Sequence, residues 1–404
     1  MMAVYLLPYP VRGVHAPYLW VFYKFLSLLQ ERALFMVGED YLADPACFAA
    51  EGRWELTPLT QSTYGYSTPP PLTLARHQIE TLPASLFATL LADCRGNPIE
   101  VFRRILTRRL PALEAAFDAA LDKSGDTIEA IVTWHNCPSL SAVAMRRGCP
   151  VIHLEAGPLR APLYRPTAYL DFSGVNGNTE AESRYLKMPR CVGEHFSVES
   201  LRRFFFLPGE LPAKTPVSHV GVALQVEDDS NLVAFGNGYD NQATLVYARL
   251  NHIGDGPLLV RRHPGSLFRV VGDWFITDAS YDSKEFIQHC RHIVTVNSSL
   301  GLEAILSGTP ITVLGDSSYR FILAGGDENE RVARLAFYLF AYLIPESLMF
   351  DLDYLRFRIQ APDEGVVVAR HAAAYLGRQF RPDTISGEQG GSVWSQVKTI
   401  LNGA

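Results

Sequence analysis

Four short stretches combine residue types that can do chemistry. In VALQVEDDSN, residues 222–231, an apolar strand-like run ends in three consecutive acids, Glu227, Asp228 and Asp229. At the end of a strand such carboxylates face a cleft; equally, Asp229 or Ser230 would serve as a helix cap in a solvated turn. In VRRHPG, residues 260–265, the proline stiffens the turn beside His263, and a ring held there can give a hydrogen bond or a proton to a leaving phosphate. An ordinary surface turn explains the same residues, with Arg261 and Arg262 as electrostatic helpers or solvent-facing groups. In IVTVNSSLGLEAILSG, residues 293–308, Asn297, Ser298 and Ser299 stand between a strand and a helix. Free N–H groups and two hydroxyls make an anion cradle there, or two capping serines with no ligand. HLEAGPLR, residues 153–160, brings Glu155 to a strand end, as a cleft-facing acid or as the ion-pair partner of Arg160 or Arg165. WHNCPS, residues 134–139, adds His135 and Asn136 at another strand end.

The elements that must carry these groups alternate. Strand-like runs at 4–7, 33–37, 130–134 and 151–154 are separated by helical patterns at 16–30, 82–93, 99–121 (interrupted near Pro111) and 139–147. After a turn-rich stretch at 207–216, strands at 220–224, 258–260, 293–296 and 311–313 alternate with helices at 241–250, 283–290 and 302–307. Uniformly apolar strands between helices indicate parallel sheets covered on both faces. The expected fold is α/β: two doubly wound, Rossmann-like lobes with a helix-rich C-terminal segment. The chain of 404 residues is long enough for it. The lobes are expected at 1–207 and 208–335, with a helical segment and tail at 336–404.

Composition narrows the functions. Hydrophobic residues make up 48% and charged residues 19%, which excludes a disordered chain. A net charge of −6 gives no global positive field for a nucleic acid. Six scattered cysteines without a CxxC predict reduced thiols, not a zinc site or disulfide framework, and a cytoplasmic protein. There is no Walker loop and no GxGxxG. No DxD pair sits in a suitable loop, so no metal cofactor is expected; Asp351 and Asp353 have that spacing but read as structural. Ordered polar clusters, each after a strand of one lobe, suit a nucleotide-sugar site.

The order EDDS, RRHPG, NSSLGLEAILSGTP resembles the HP and SS motifs of bacterial transferases that use CMP-activated acidic sugars. With HLEAGPLR, YLLPYPVRGVHAPYLWVFYKFL and YRPTAYLDFSGVNG it is most similar to the retaining β-Kdo glycosyltransferases of lipopolysaccharide O-antigen and capsule assembly. That resemblance implies a GT-B-like fold and the donor CMP-β-Kdo. It implies a lipid-linked polysaccharide acceptor and double displacement through a covalent aspartate adduct. It makes Asp229 the nucleophile, His263 and the pair Ser298 and Ser299 the phosphate ligands, and Glu155 the acid/base facing the acceptor. Asn297, Gln225, Arg262 and Arg160 complete the expected donor-binding set, with Arg160, Arg165 and Arg262 unranked as partners of the sugar carboxylate. Asp228 would point elsewhere if its segment is extended.

Two other classes stay open: an inverting sialyltransferase-like enzyme with an acid of 227–229 as base, and a sugar epimerase or non-catalytic nucleotide-sugar binding module. The basic-aromatic LRRFFFLPG (201–209) and AFYLFAYLI (336–344) suggest peripheral contact with the inner membrane, or burial inside the protein.

Overall fold

The computed structural model describes residues 1–8, 18–43, 61–62, 65–68, 71–188, 196–207, 219–254, 256–378, 394–395 and 397–398. The chain divides into two compact units, Met1–Leu154 with Phe350–Gln360, and Glu155–Met349 with Ala361–Ala404.

The first unit is built on parallel strands β1 (Met2–Tyr5), β2 (Leu34–Val37), β3 (Gln78–Thr81), β4 (Ala130–Thr133) and β5 (Val151–Ala156), in the order β3-β2-β1-β4-β5. Every residue of β1, β2 and β4 is buried, because helices cover both faces of the sheet. β3, with the sequence QIET, lies at the edge and stays partly exposed, so it lacks the apolar run that marks the others. The helical pattern at 99–121 is two helices, Pro98–Thr107 and Pro111–Ser124, each with proline at its first position. Asn97 caps the first through its side chain, and Gly125 (φ 67°) ends the second in the left-handed region. The returning segment Phe350–Gln360 is tied in by Arg356, which donates to Glu31 at 2.7 and 2.9 Å and to Glu129 at 3.0 Å. Phe350 lies edge-on to Phe25 and stacks on Trp134.

The second unit contains β6 (Thr167–Asp171), β7 (His219–Ala223), β8 (Leu258–Arg261), β9 (Phe275–Thr277), β10 (Cys290–Thr295), β11 (Ile311–Val313) and β12 (Ile344–Pro345). Its parallel sheet runs β11-β10-β7-β8-β9, and β6 pairs antiparallel with β12. Read from the centre outwards, both parallel sheets have the doubly wound order 3-2-1-4-5. The α/β fold with two Rossmann-like sheets is therefore observed. Gly221 in β7 is required by packing: a Cβ there would meet the Cys290 sulfur and come within 2.8 Å of the Phe286 ring.

The boundary expected at 207/208 lies between the strands of the two parallel sheets, whereas the compact units divide inside β5, after Leu154. The described residues of 336–404 do not form a segment of their own. Residues 350–360 pack in the first unit, while 336–344 are fully buried at the centre of a large apolar cluster in the second. Leu201, Phe204 and Phe205 are buried in the same cluster, on a helix, Val198–Phe205, capped by Ser197. These two aromatic segments thus contribute mainly to the core, with Phe206 and Leu207 half-buried; residues 208–209 lie outside the described set. Among the described residues no helix is long and apolar enough to cross a bilayer.

Candidate active site

A cleft of about 140 Å³ opens within the second unit, where the carboxyl ends of β7, β8, β10 and β11 meet the end of β5. Glu155, Gly157 and Arg160 line it after β5, Gln225, Asp229 and Asn231 after β7, and His263 after β8. Asn297, Ser298 and Ser299 follow β10, and Ser317, Ser318 and Tyr319 follow β11. The four motifs separated in sequence therefore surround one space.

Asp229 caps the helix Ser230–Phe235, its Oδ1 accepting from the Asn231 N–H at 2.8 Å. The cap uses one carboxylate oxygen. Residues 227–228 form a turn and are not extended, so strand alternation is not what separates the three acids. Glu227 braces the histidine loop instead, accepting from the Ser266 hydroxyl and from the N–H groups of Phe268 (2.9 Å) and Leu267 (3.3 Å). Burial alone would raise its pKa; these bonds outweigh it and hold the carboxyl below the usual range. Asp228 does not line the cleft.

His263 accepts at Nδ1 from the Gly265 N–H at 3.0 Å, which leaves its proton on Nε2. Burial lowers its pKa, Asp229 opposes the shift and Arg160 adds to it, so the ring is a neutral hydrogen-bond donor at pH 7. The serine turn is held by hydrogen bonds. Tyr319 donates to the Ser298 carbonyl at 2.6 Å, and the Leu300 N–H reaches Ser298 Oγ at 3.3 Å. Ser299 stands at the start of the helix Leu300–Leu306 and makes no side-chain cap. Glu303, on that helix, is buried and accepts from Tyr164 at 2.9 Å and Ser283 at 2.5 Å. Burial raises its pKa although both donors pull it down.

Asn297 and Gln225 line the cleft but are tied up in the scaffold. The Asn297 amide donates to the carbonyls of Asn231, Phe235 and Asp316, and its N–H donates to Gln225 Oε1. Of the three arginines, only Arg160 lines the cleft. Arg262 reaches the Phe268 carbonyl at 3.2 Å, away from the site, and Arg165 lies over the Phe204 ring and donates to the Phe204 carbonyl. The Arg160 Nε donates to the Gly157 carbonyl at 3.0 Å, and the Arg165 Nε donates to the Phe204 carbonyl at 2.8 Å. His135 and Asn136 are buried in the first unit.

Asn176 was given no role by sequence reasoning. Its amide donates to Glu155 Oε2 at 2.6 Å and to Ser230 Oγ at 3.0 Å, joining the acid to the residue after Asp229. It holds this position in the left-handed region, φ 69°, where asparagine is tolerated. The adjoining Gly177 has no room for a Cβ, which would meet the Phe235 ring and Asp316. Asp171 anchors the loop, accepting from the N–H groups of Ser173 (2.7 Å), Gly174 (3.0 Å) and Glu180 (2.9 Å) and from the Tyr342 hydroxyl (2.8 Å). Burial, with the charge of Glu180, pushes its carboxyl up to about 6. The signal available in the sequence was the polar run DFSGVNGN after an apolar strand.

Acids, a histidine and a serine turn around one cleft at the carboxyl ends of a Rossmann-ordered sheet suit the handling of a nucleotide-sugar. Comparison with known proteins agrees. Residues 4–180 match the family model described as Glycosyltransferase 99 family N-terminal domain, and residues 212–328 match Capsule polysaccharide biosynthesis protein. The chain is thus similar to a glycosyltransferase domain over its first part and to a capsule polysaccharide biosynthesis protein over its second. Among solved structures, the β-Kdo 2,7 transferase of Thermosulfurimonas dismutans KpsC is similar at 20% identity and TM-score 0.41, over 61% of this chain and 88% of that one. The β-Kdo 2,4 transferase of the same protein is similar at 14% identity and TM-score 0.38, over 52% and 79%. Protein FixF of Sinorhizobium fredii is 40% identical over 57 residues, 13% of this chain and 14% of that protein.

Proposed function

We propose that this glycosyltransferase moves Kdo from CMP-β-Kdo to the end of a lipid-linked polysaccharide in the cytoplasm, with retention and without a bound metal. The observation that carries this reading is the gathering of Asp229, Glu155, His263, Ser298 and Ser299 around one cleft in the second unit. In the first step an Asp229 oxygen attacks the anomeric carbon. The bond from that carbon to the phosphate oxygen breaks, and CMP leaves with the electron pair. The His263 Nε2–H and the hydroxyls of Ser298 and Ser299 hydrogen-bond the departing phosphate. In the second step Glu155 takes the proton of an acceptor hydroxyl, whose oxygen attacks the same carbon and releases Asp229. Arg160 meets the sugar's carboxylate, because it is the one arginine of the three candidates beside the cleft.

NMR of the product formed from CMP-β-Kdo and a glycan acceptor tests the reading. A β-linked product is expected; an α-linked product would replace double displacement with inversion, and Asp229 would then act as a base. Undiminished turnover in a chelator supports the metal-free reaction, and loss restored by a divalent cation would overturn it.

A further inference from the structure

A second cavity, of about 590 Å³, adjoins the cleft within the same unit. Its size falls in the ~300–1,000 Å³ range of small-molecule sites. Ser317 and Ser318 line both spaces. The other walls are Asn178, Thr179 and Glu182 on one side, and Asp316, Arg320, Phe321, Leu323 and Ala324 on the other. The connection to the reacting groups is short. Asn176 holds Glu155, and two residues further on the Asn178 N–H donates to Asp316 Oδ2 at 3.0 Å. Ser317 and Ser318 make the groove continuous with the cleft that Glu155 lines.

The lining says what kind of molecule fits. Sugar hydroxyls donate and accept at once, so they pair with carboxylates, amides, hydroxyls and guanidinium groups placed side by side. Here these are Asp316, Glu182, Asn178, Thr179, Ser317, Ser318 and Arg320. Arg320 makes one long bond, 3.4 Å to the Gly315 carbonyl, and no ion pair among the described residues. Phe321, Leu323 and Ala324 give an apolar patch for the C–H face of a sugar ring. Glu182 also meets Arg334 at 3.7 Å, but that guanidinium is held by Glu330 at 2.7 Å. Three carboxylates (Asp316, Glu182, Glu330) against two guanidinium groups therefore leave the groove negative, which disfavours an acidic sugar.

We propose that this groove is the subsite for the terminal residues of the acceptor glycan, and that it selects neutral or amino sugars over an acidic sugar such as Kdo. It rests on the transferase reading above and deepens it: the enzyme adds an acidic sugar to a neutral end and then cannot use its own product as acceptor.

Saturation-transfer NMR on the whole chain tests this. The probes are methyl glycosides of galactose, mannose, rhamnose and N-acetylglucosamine, with methyl Kdo glycoside as the acidic comparison, each added to CMP-saturated protein. At least one neutral glycoside is expected to bind, and methyl Kdo glycoside to bind about tenfold more weakly or not at all. Leu323→Trp, which fills the groove from its rim, is expected to weaken the neutral glycoside about tenfold while CMP affinity stays within about twofold. No binding by any neutral glycoside, equal binding of the acidic one, or binding unaffected by Leu323→Trp would overturn the proposal. CMP release from CMP-β-Kdo without acceptor, measured in the unmodified enzyme, separates the two readings. If it occurs while the glycosides fail, the groove is wrong and the transferase stands. If it does not occur, the donor assignment is wrong whatever the groove binds.

Discussion

Replacing Asn176 is the perturbation whose consequences follow most directly from the geometry around Glu155. Its amide makes a 2.6 Å bond to the carboxylate and a 3.0 Å bond to Ser230. A hydrogen bond to a charged group contributes about 1.5–3 kcal/mol, and a non-glycine residue without asparagine's tolerance loses about 1–2 kcal/mol at φ 69°. Asn176→Gly removes the bonds and keeps the backbone, so the difference between the glycine and alanine variants isolates backbone strain. Both variants leave the donor contacts intact and release Glu155 from its orientation. The second chemical step should slow about 10–100-fold, within the ~10²–10⁴ that a positioned acid or base supplies. The covalent intermediate should then accumulate, with little change in the KM for CMP-β-Kdo. Asn176→Asp goes further. Two carboxylates about 4 Å apart repel by about 4 kcal/mol at an effective dielectric of about 20, enough to raise the pKa of the pair by about 3 units. Its activity should recover as pH rises. The assay is rapid-quench turnover with intact mass at each time point; glycine and alanine variants within twofold of the parent rate, with no accumulated intermediate, would refute the role of Asn176.

Asp229→Asn keeps the helix cap and should change stability by a few tenths of a kcal/mol, whereas Asp229→Ala loses about 1 kcal/mol; chemical denaturation separates the cap from the chemistry, which both abolish. Arg160→Gln should raise the KM for CMP-β-Kdo about tenfold and leave CMP affinity unchanged in calorimetry, while Arg262→Gln changes neither by more than about twofold. His263→Ala should weaken CMP binding about tenfold by the same measurement, for loss of the Nε2–H donor. Asp171 has its folded pKa raised to about 6 against an unfolded value near 4. The unfolded chain therefore gives up this proton first, and the stability contributed by the group falls as pH rises through that window. Urea titrations across it should show that slope in the parent and its loss in Asp171→Asn.

Much of the parallel sheet structure was legible because a strand covered on both faces is apolar at every position, as in β1, β2 and β4. β3, with a polar edge sequence, and β12, two residues long, carry no such pattern. The grouping of Asp229, His263, Ser298 and Ser299 was legible because each comes after an apolar strand of one parallel sheet, and such strands end on one side; Glu155 instead lies near the end of β5, in the other sheet. Asn176 was not: it acts through a left-handed turn and meets residues 21 and 54 positions away. Arg262 illustrates the opposite limit. Adjacency to His263 suggested a donor contact, yet its side chain turns to the Phe268 carbonyl while Arg261 pairs with Asp278 at 2.5 Å. The return of Phe350–Gln360 to the first unit depends on Arg356 finding Glu31 and Glu129, partners more than 200 residues distant.

The most direct test of the nucleophile assigned to position 229 is intact-protein mass spectrometry after mixing with CMP-β-Kdo and no acceptor. A mass increment of one dehydrated Kdo residue is expected, mapping by peptide digestion to Asp229 and absent from Asp229→Asn. An increment that persists in that variant, or CMP release by the unmodified enzyme with no adduct at any time point, would contradict it.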